Sequence, residues 1–303
     1  MGLKLVLPGV TFTDPSLPKL YPDPIQSEGS LLLLDFAHSA GWTGDYNPPS
    51  TLTYIPNLAY EQAYKIIGSG SEQDLAGRYN QSSISGTESA LHKVEFSGKK
   101  GLHVIVSQNP GLGSAQNFKV YAPSLIRDYI KNHIQDATPS GETVHDFFVS
   151  IWYKTTRPFG SGTAANFCFG QNSGNYGIIS TSSDFQGRWN GAGTTNGVNK
   201  RVTPNQNVAG ANVLKNTALN SFAGEKSSSD VMEMWWGRAG AWNGFMATNA
   251  PSFILYRMYV EDLTVSGRTY AEVDALDYAL WQEAFASGGR FFGDTYTDPS
   301  TIP

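Results

Sequence analysis

Apolar and polar residues alternate with a period of two in much of the second half of the chain, the pattern of a strand with one buried face. From residue 147 to residue 153 every odd position is apolar, whereas Ser150 and Lys154 are polar. We therefore predict a half-buried strand here. Similar runs predict further strands at residues 30–36, 164–170, 175–181, 231–236 and 252–260.

Apolar residues at helical spacing predict two short helices in the first half of the chain. The first follows Pro56, with Asn57 as its N-cap and Gly68 as its stop. The second covers residues 124–134. Both are short enough to serve as connections beside a sheet.

A longer helix is predicted near the end of the chain, over residues 270–287. Thr269 and Glu272 have the spacing of a capping box, and Gly288 and Gly289 follow the last apolar residue. We assign residues 30–287 to one domain and residues 288–303 to a C-terminal tail. No internal repeat is visible, which argues against a fibre, a propeller or a solenoid.

Residues 1–29 form a separate segment whose five prolines oppose helix formation and favour extended backbone. An isolated linker would not need the apolar side chains that this segment carries. We therefore predict an extended arm that docks on a neighbouring surface. Its expected contact residues are Leu5, Leu7, Phe12, Leu17 and Leu20.

The composition argues against some classes of binding partner. Charged residues make up 16% of the 303 residues and the net charge is −5, with no basic stripe for a phosphate backbone, so no nucleic acid is expected. No apolar run has the length of a membrane span. The single cysteine, Cys168, excludes an internal disulfide and suits synthesis in a reducing cytoplasm.

Two segments resemble the laminin-G-like domains. Residues 146–155, DFFVSIWYKT, are similar to their strand that runs into Trp, a basic residue and Thr. Residues 255–273, LYRMYVEDLTVSGRTYAEV, are similar to their closing strand, turn and capped helix. The resemblance implies an all-β fold, a concanavalin/laminin-G-like antiparallel jelly-roll sandwich with an extended N-terminal arm and a few short helices.

The two ends of the chain resemble virion proteins of tailed bacteriophages that carry such a domain. The similar stretches are residues 5–12, LVLPGVTF, and residues 293–299, GDTYTDP. This resemblance implies a structural protein of the virion, most simply of the tail. Its expected partners are other virion proteins, copies of itself and a host-surface polysaccharide.

The sequence offers little for catalysis. A retaining glycosidase needs two carboxyl groups about 5 Å apart, and the chain has no run of alternating acidic residues to supply them. Glu261 and Asp262 are adjacent, so they are expected to face opposite ways on a strand. No Gly-x-Ser-x-Gly elbow is present. We expect no enzyme activity.

Bound metal is not expected either. The five histidines lack zinc-type spacing. Pairing of strands at residues 91–96 and 101–106 would allow His92 and His103 to meet, but we expect the histidines to be structural. No cofactor is predicted. A calcium ion on the loop carboxylate of Asp45 or Asp184 stays open as an alternative, since laminin-G-like domains often hold one.

The best candidate for ligand binding lies in the polar stretch 186–211, which is predicted to form long exposed loops. Trp189 offers a stacking surface there, and Arg188 and Asn190 offer hydrogen bonds. The sequence thus predicts a non-enzymatic bacteriophage virion protein with a glycan-attachment loop. The alternatives are a capsid decoration or cement protein and a polysaccharide-degrading enzyme.

Overall fold

The fold is known from a computed structural model, which describes residues 23–39, 41–42, 52–81, 91–108, 118–133, 145–158, 165–168, 178–180, 188–189, 199–202, 233–236 and 251–303. Most of the arm and parts of the long loops lie outside these ranges.

Strands dominate the secondary structure, and a strand lies in each run where the sequence predicts one, together with further strands that were not predicted. The strands are β1 Ser30–Asp35, β2 Leu52–Ile55, β3 Gly77–Gln81, β4 His92–Phe96, β5 Leu102–Val106, β6 Phe118–Tyr121, β7 Phe147–Arg157, β8 Ala165–Cys168, β9 Ile178–Ser180, β10 Arg188–Trp189, β11 Asn199–Val202, β12 Glu233–Trp236 and β13 Ser252–Asp262. The helices are α1 Tyr60–Ile67, α2 Ser124–His133, α3 Leu263–Ser266 and α4 Tyr270–Phe285, with a 3₁₀ turn at Pro299–Thr301.

The strands form two sheets, and the predicted all-β class is confirmed at this level. Sheet A has the order β11-β7-β13-β5-β4, and β1 also pairs with β13. Sheet B has the order β10-β9-β8-β12-β6-β3-β2. The pairings are antiparallel except for that of β9 with β10. Strand β13 is the centre of sheet A, since β7 lies along one side while β1 and β5 share the other.

The main hydrophobic core lies between the two sheets. Sheet A contributes residues such as Val104, Ile151 and Leu255, and sheet B contributes Val120 and Trp236. The ring of Trp236 stacks on Phe253 of sheet A with 4.4 Å between centroids. Its indole Nε1 donates to the carbonyl of Phe253 at 2.9 Å, so the one buried polar atom of this side chain is satisfied.

The other face of sheet A is also covered, which corrects the expectation of a half-buried β7. Phe148 packs with Val273 of α4, and Trp152 packs with Ala284 and Phe291. Helix α4 and the residues after it therefore form a third layer. The period-two pattern located the strand correctly, but both of its faces are buried.

A β-bulge in β13 places two consecutive side chains on this outer face. Leu255 pairs with Tyr153 and Arg257 pairs with Trp152, so Tyr256 is the extra residue. Leu255 and Met258 belong to the core between the sheets, whereas Tyr256 packs in the third layer. The bulge shifts the alternation by one residue, and Arg257 consequently reaches the outer face too.

The predicted helix ends are partly confirmed. Thr269 caps α4 in a full capping box with Glu272, and Gly68 ends α1 in the left-handed conformation with φ 78°. Helix α4 ends at Phe285, earlier than predicted. The N-cap of α1 is Ala59, so the assignment of Asn57 was wrong.

The predicted tail, residues 288–303, packs on the third-layer side of sheet A. The carbonyl of Thr295 accepts from the N–H of Gly98 at 2.8 Å, and the carbonyl of Pro303 accepts from the N–H of Gln108 at 3.0 Å. Arg157 donates to the carbonyls of the 3₁₀ turn region, at 3.1 Å for Pro299. This chain's own sheet holds the tail.

Candidate functional site

The sequence-predicted binding residues fall mostly at the limits of the described structure. Arg188 and Trp189 form β10, whose backbone pairs with Ile178 and Ile179 at one end of sheet B. This differs from the predicted exposed loop, as does β11, which pairs with β7. Asn190 lies outside the described residues, as do the arm residues Leu5, Leu7, Phe12, Leu17 and Leu20 and the acids Asp45 and Asp184.

A buried charge network lies on the outer face of sheet A. At its centre is Arg257, placed there by the bulge in β13. Its Nη1 and Nη2 donate to the two carboxyl oxygens of Asp23 at 2.8 Å each. Nη1 also donates to Oδ2 of Asp35, the residue of β1 that pairs with Arg257 in the sheet, at 3.2 Å. The paired guanidinium and carboxylate geometry makes this contact specific.

Trp152 forms the floor of the network. The guanidinium of Arg257 lies over its ring at 4.7 Å, and that of Arg290 at 5.8 Å. Arg290 Nη2 also reaches Oδ2 of Asp35 at 2.6 Å, so the tail contributes a second cation to the same carboxylate. Cation–π contact and ion pairing together fix both arginines.

A second carboxylate group joins α4 to the network. Oδ2 of Asp277 accepts from Ser150 Oγ at 2.5 Å, from Trp152 Nε1 at 3.3 Å and from Arg201 Nε at 2.8 Å. Arg201 also pairs with Asp274, one turn earlier on α4. Strand β11 is therefore tied to α4 by Arg201.

The charge states follow from this geometry. Burial alone would raise the pKa of Asp23, but the hydrogen bond and charge of Arg257 outweigh it and leave the pKa below its usual value. Burial would lower the pKa of Arg257, but Asp23 and Asp35 raise it instead. For Asp277 burial dominates over Arg201, and its pKa is raised.

A second arginine holds the residues that lead into β1. Arg268 Nη2 donates to the carbonyl of Ile25 at 2.7 Å, and its Nε donates to Glu261 at 2.8 Å. The fully buried Glu261 also accepts from Ser27 Oγ at 2.8 Å and from the hydroxyl of Tyr259 at 2.7 Å. Residues 23–29, predicted as the end of the arm, are thus fixed to this chain's own sheet.

The two neighbouring acids of β13 have different partners, as predicted. Asp262 accepts from Tyr129 Oη at 2.8 Å and contacts His145 Nδ1 at 2.6 Å. Glu261 belongs to the arginine network described above. No alternating carboxylate pair faces one cleft among these residues.

The strands that carry His92 and His103 pair as predicted, but the two histidines do not lie opposite each other. Strands β4 and β5 pair, but His92 lies opposite Val106 and His103 lies opposite Glu95. His103 Nδ1 contacts Glu95 Oε1 at 2.9 Å, and its Nε2 contacts Thr156 Oγ1 at 2.8 Å. His103 is therefore a satisfied structural histidine.

Trp42 packs on the core. Its ring lies 5.2 Å from that of Phe96 and 6.3 Å from that of Phe36. Among the described residues no three His, Cys, Asp or Glu side chains form a metal-binding group. No helix among them is both long and apolar enough to cross a membrane.

The sequence did not reveal the Arg257 network. A charged residue inside an otherwise apolar strand, Arg257 in β13, was a usable signal, because a buried arginine requires acidic partners. Nothing in the local pattern pointed to Asp23 as that partner, because the two residues are 234 positions apart.

Comparison with known proteins gives no family assignment. No family model, no curated protein and no solved structure matches the chain.

Proposed function

We propose that the chain is a non-enzymatic structural module that docks on neighbouring copies through its N-terminal arm. The observation that carries the proposal is the buried fork between Arg257 and Asp23. It fixes Asp23, the residue that directly follows segment 1–22 in the sequence.

Residues 23–25 are held by more polar contacts than an ordinary surface loop requires. Arg257 binds Asp23, and Arg268 binds the carbonyl of Ile25 two residues later. The contact between Arg257 and Asp23 places two charged groups out of water, which is unfavourable unless the partners are well matched. The apolar side chains of residues 1–22 precede this point in the sequence. They supply contact area for a neighbouring surface.

The charge states of the network favour structure over acid–base chemistry. A glycosidase acid must carry a proton near neutral pH, and its partner must be accessible to substrate. Asp23 has a lowered pKa and is bound on both oxygens by Arg257. Asp277 has a raised pKa but is fully buried where α4 packs on sheet A. Neither carboxyl suits the role.

We also propose a specific fold for the two sheets and a type of assembly to which the protein belongs. We propose that the two sheets form a concanavalin/laminin-G-like jelly roll and that the protein belongs to a tailed-bacteriophage virion, most simply to its tail. The sequence resemblances at residues 146–155 and 255–273 support the fold, and those at residues 5–12 and 293–299 support the setting. An arm whose end is fixed at residues 23–25 would also suit a capsid decoration protein, which is the second candidate.

The experiment compares the full chain with two truncations. Deleting residues 1–20 keeps Asp23 and should abolish self-association, measured by light scattering, without changing the melting temperature. Deleting residues 1–25 also removes Asp23 and Ile25 and should lower the melting temperature. Full self-association of the shorter deletion, or loss of its melting transition, would refute the arm's assigned role.

Host attachment through Arg188, Trp189 and Asn190 is a separate part of the proposal. Trp189→Ala should reduce binding of the purified protein to host cells while its melting temperature stays that of the wild type. Equal binding by both proteins removes this role. Release of oligosaccharides from host capsule would instead support the enzyme alternative.

A further inference from the structure

The outer face of sheet B carries a group of cations and tyrosines at the end formed by β2, β3 and β6. Ile55, Tyr79 and Val120 of these strands point into the core. The positions between them alternate to the opposite face and are partly or largely exposed. The residues concerned are Tyr54, Arg78, Lys119 and Tyr121.

Three of these residues form one row across the sheet. Tyr54 of β2 is opposite Arg78 of β3, which is opposite Tyr121 of β6. Lys119 lies in the next row, opposite Asn80. Because neighbouring strands are about 4.8 Å apart, the row extends about 10 Å. A polymer lying across the strands would contact all three side chains.

The cations are held close to the aromatic rings. The guanidinium of Arg78 lies over the ring of Tyr54 at 5.0 Å. Lys119 Nζ lies over the ring of Tyr121 at 4.8 Å, and the guanidinium of Arg127 lies 5.7 Å from the same ring. Three cations therefore share a small face of a protein whose net charge is −5.

Acidic residues also border this face. Asp74 acts electrostatically on Arg78, but its Oδ2 is bound to Ser71 Oγ at 2.7 Å. Glu233 of β12 is opposite Tyr121 in the register, and Asp128 follows Arg127 on α2. Glu233 therefore continues the row beyond Tyr121, whereas Arg78 lies in the middle of the row and Lys119 in the next one.

We propose that this face, defined by Tyr54, Arg78, Lys119 and Tyr121, binds an acidic polysaccharide. Tyrosine rings offer flat apolar area to the C–H face of a sugar ring. A guanidinium binds a carboxylate or sulfate by donating two parallel hydrogen bonds, and an ammonium adds a point charge. Charge complementarity selects an acidic over a neutral glycan.

This inference is independent of the proposed arm function. It uses neither Arg257 nor residues 1–22, and the face lies at the opposite end of sheet B from β10. Loss of glycan binding and loss of self-association are therefore separate results. Either can occur without the other.

The probes are immobilised polygalacturonate and dextran sulfate, with dextran as the neutral comparison. Wild-type full-length protein should bind both acidic polymers and not dextran, and binding should weaken as sodium chloride is raised. The double variant Arg78→Gln Lys119→Gln should bind about tenfold more weakly, since exposed ion pairs each contribute up to about 1 kcal/mol. Tyr54→Ser should weaken binding with little change in salt dependence.

The matched control is Lys99→Gln Lys154→Gln, which removes the same charge from sheet A. Lys154 lies over the ring of Tyr296 at 4.9 Å, much as Lys119 lies over Tyr121. The control should bind like the wild type, and all variants should keep the wild-type melting temperature. Equal loss in both double variants, equal binding to dextran, or equally tight binding to poly-glutamate would each overturn the proposal.

Discussion

Arg257 donates from Nη1 and Nη2 to the two carboxyl oxygens of Asp23, at 2.8 Å each, and joins residues 234 positions apart. The bulge at Tyr256 turns the arginine to the outer face of sheet A, where Asp35 also accepts from it. Since both partners are buried, neither can be removed without leaving an uncompensated charge. The fork therefore couples the start of the domain to its central strand.

Arg257→Met tests this coupling. The variant keeps an apolar stem of similar length and leaves Asp23 and Asp35 without their shared cation. We expect the free energy of unfolding in urea to fall by about 3–5 kcal/mol, as for other broken buried pairs. Lys65→Met, an exposed residue of α1, should change it by less than about 0.5 kcal/mol. A wild-type urea midpoint for Arg257→Met would contradict the fork.

Part of the fold was accessible from local sequence patterns. The alternation in β7 and the capping box of α4 depend on residues within a few positions of one another, and both were located correctly. The third layer was not predicted, because its contacts join α4 to β7, more than a hundred positions away, as in the bond of Ser150 to Asp277. The polar residues of β7 suggested that one face of the strand is exposed to solvent. Asp277 of α4 covers that face, where it contacts Ser150 and Trp152.

The candidate site was harder to predict than the fold for the same reason. Ionic networks form between residues that only the topology brings together, and no local period marks them. Arg257 was conspicuous as a cation in an apolar strand, but its partners come from the arm and from β1. For the face of sheet B, the register was needed to place Tyr54, Arg78 and Tyr121 in one row.

Because of the contact between Glu95 and His103, we predict that the folded state becomes less stable in acid. Burial raises the pKa of Glu95, but hydrogen bonds from His103 and Thr297 hold it well below its usual range. Burial lowers the pKa of His103 more than Glu95 raises it. The pair is a neutral imidazole that donates Nδ1–H to a carboxylate.

Both groups bind fewer protons in the folded state than in the unfolded state. Their stabilisation is complete above the unfolded pKa values, about 6.5 for His and about 4.3 for Glu, and is lost as the pH falls through the lower folded values. The melting temperature should start to fall below about pH 6.5 and fall more steeply below about pH 4.3. His103→Gln should remove the first decline and keep the second. An unchanged profile between pH 7 and pH 5 would contradict this assignment.

Thr269→Ala tests the capping box of α4. The hydroxyl accepts from the N–H of Glu272 at 3.3 Å, and its loss should lower the free energy of unfolding by about 1 kcal/mol. Thr269→Ser keeps the accepting oxygen and should restore most of the stability in urea titrations. Equal loss in both variants would mean that packing of the methyl group, rather than the cap, stabilises the helix start.

Asn57 bridges separated parts of the backbone rather than capping α1. Its Oδ1 accepts from the N–H of Leu33 at 2.9 Å and of Ala59 at 3.0 Å, and its Nδ2 donates to the carbonyls of Leu31 and Leu75 at 2.9 and 3.1 Å. These groups are buried, so they cannot turn to water when the amide is removed. A single side chain thus satisfies β1, the start of α1 and the residues before β3.

The expected effect of Asn57→Ala separates this role from a cap. Loss of an N-cap costs about 1 kcal/mol, whereas leaving several buried backbone groups unsatisfied costs about 1–3 kcal/mol for each group. We expect a loss of at least about 3 kcal/mol in urea unfolding. Asn57→Asp, which keeps both accepting contacts and caps helices equally well, should also destabilise strongly, because its carboxylate faces the carbonyls of Leu31 and Leu75. Near-wild-type stability of Asn57→Asp would favour the cap, because only the bridge requires the two amide donors.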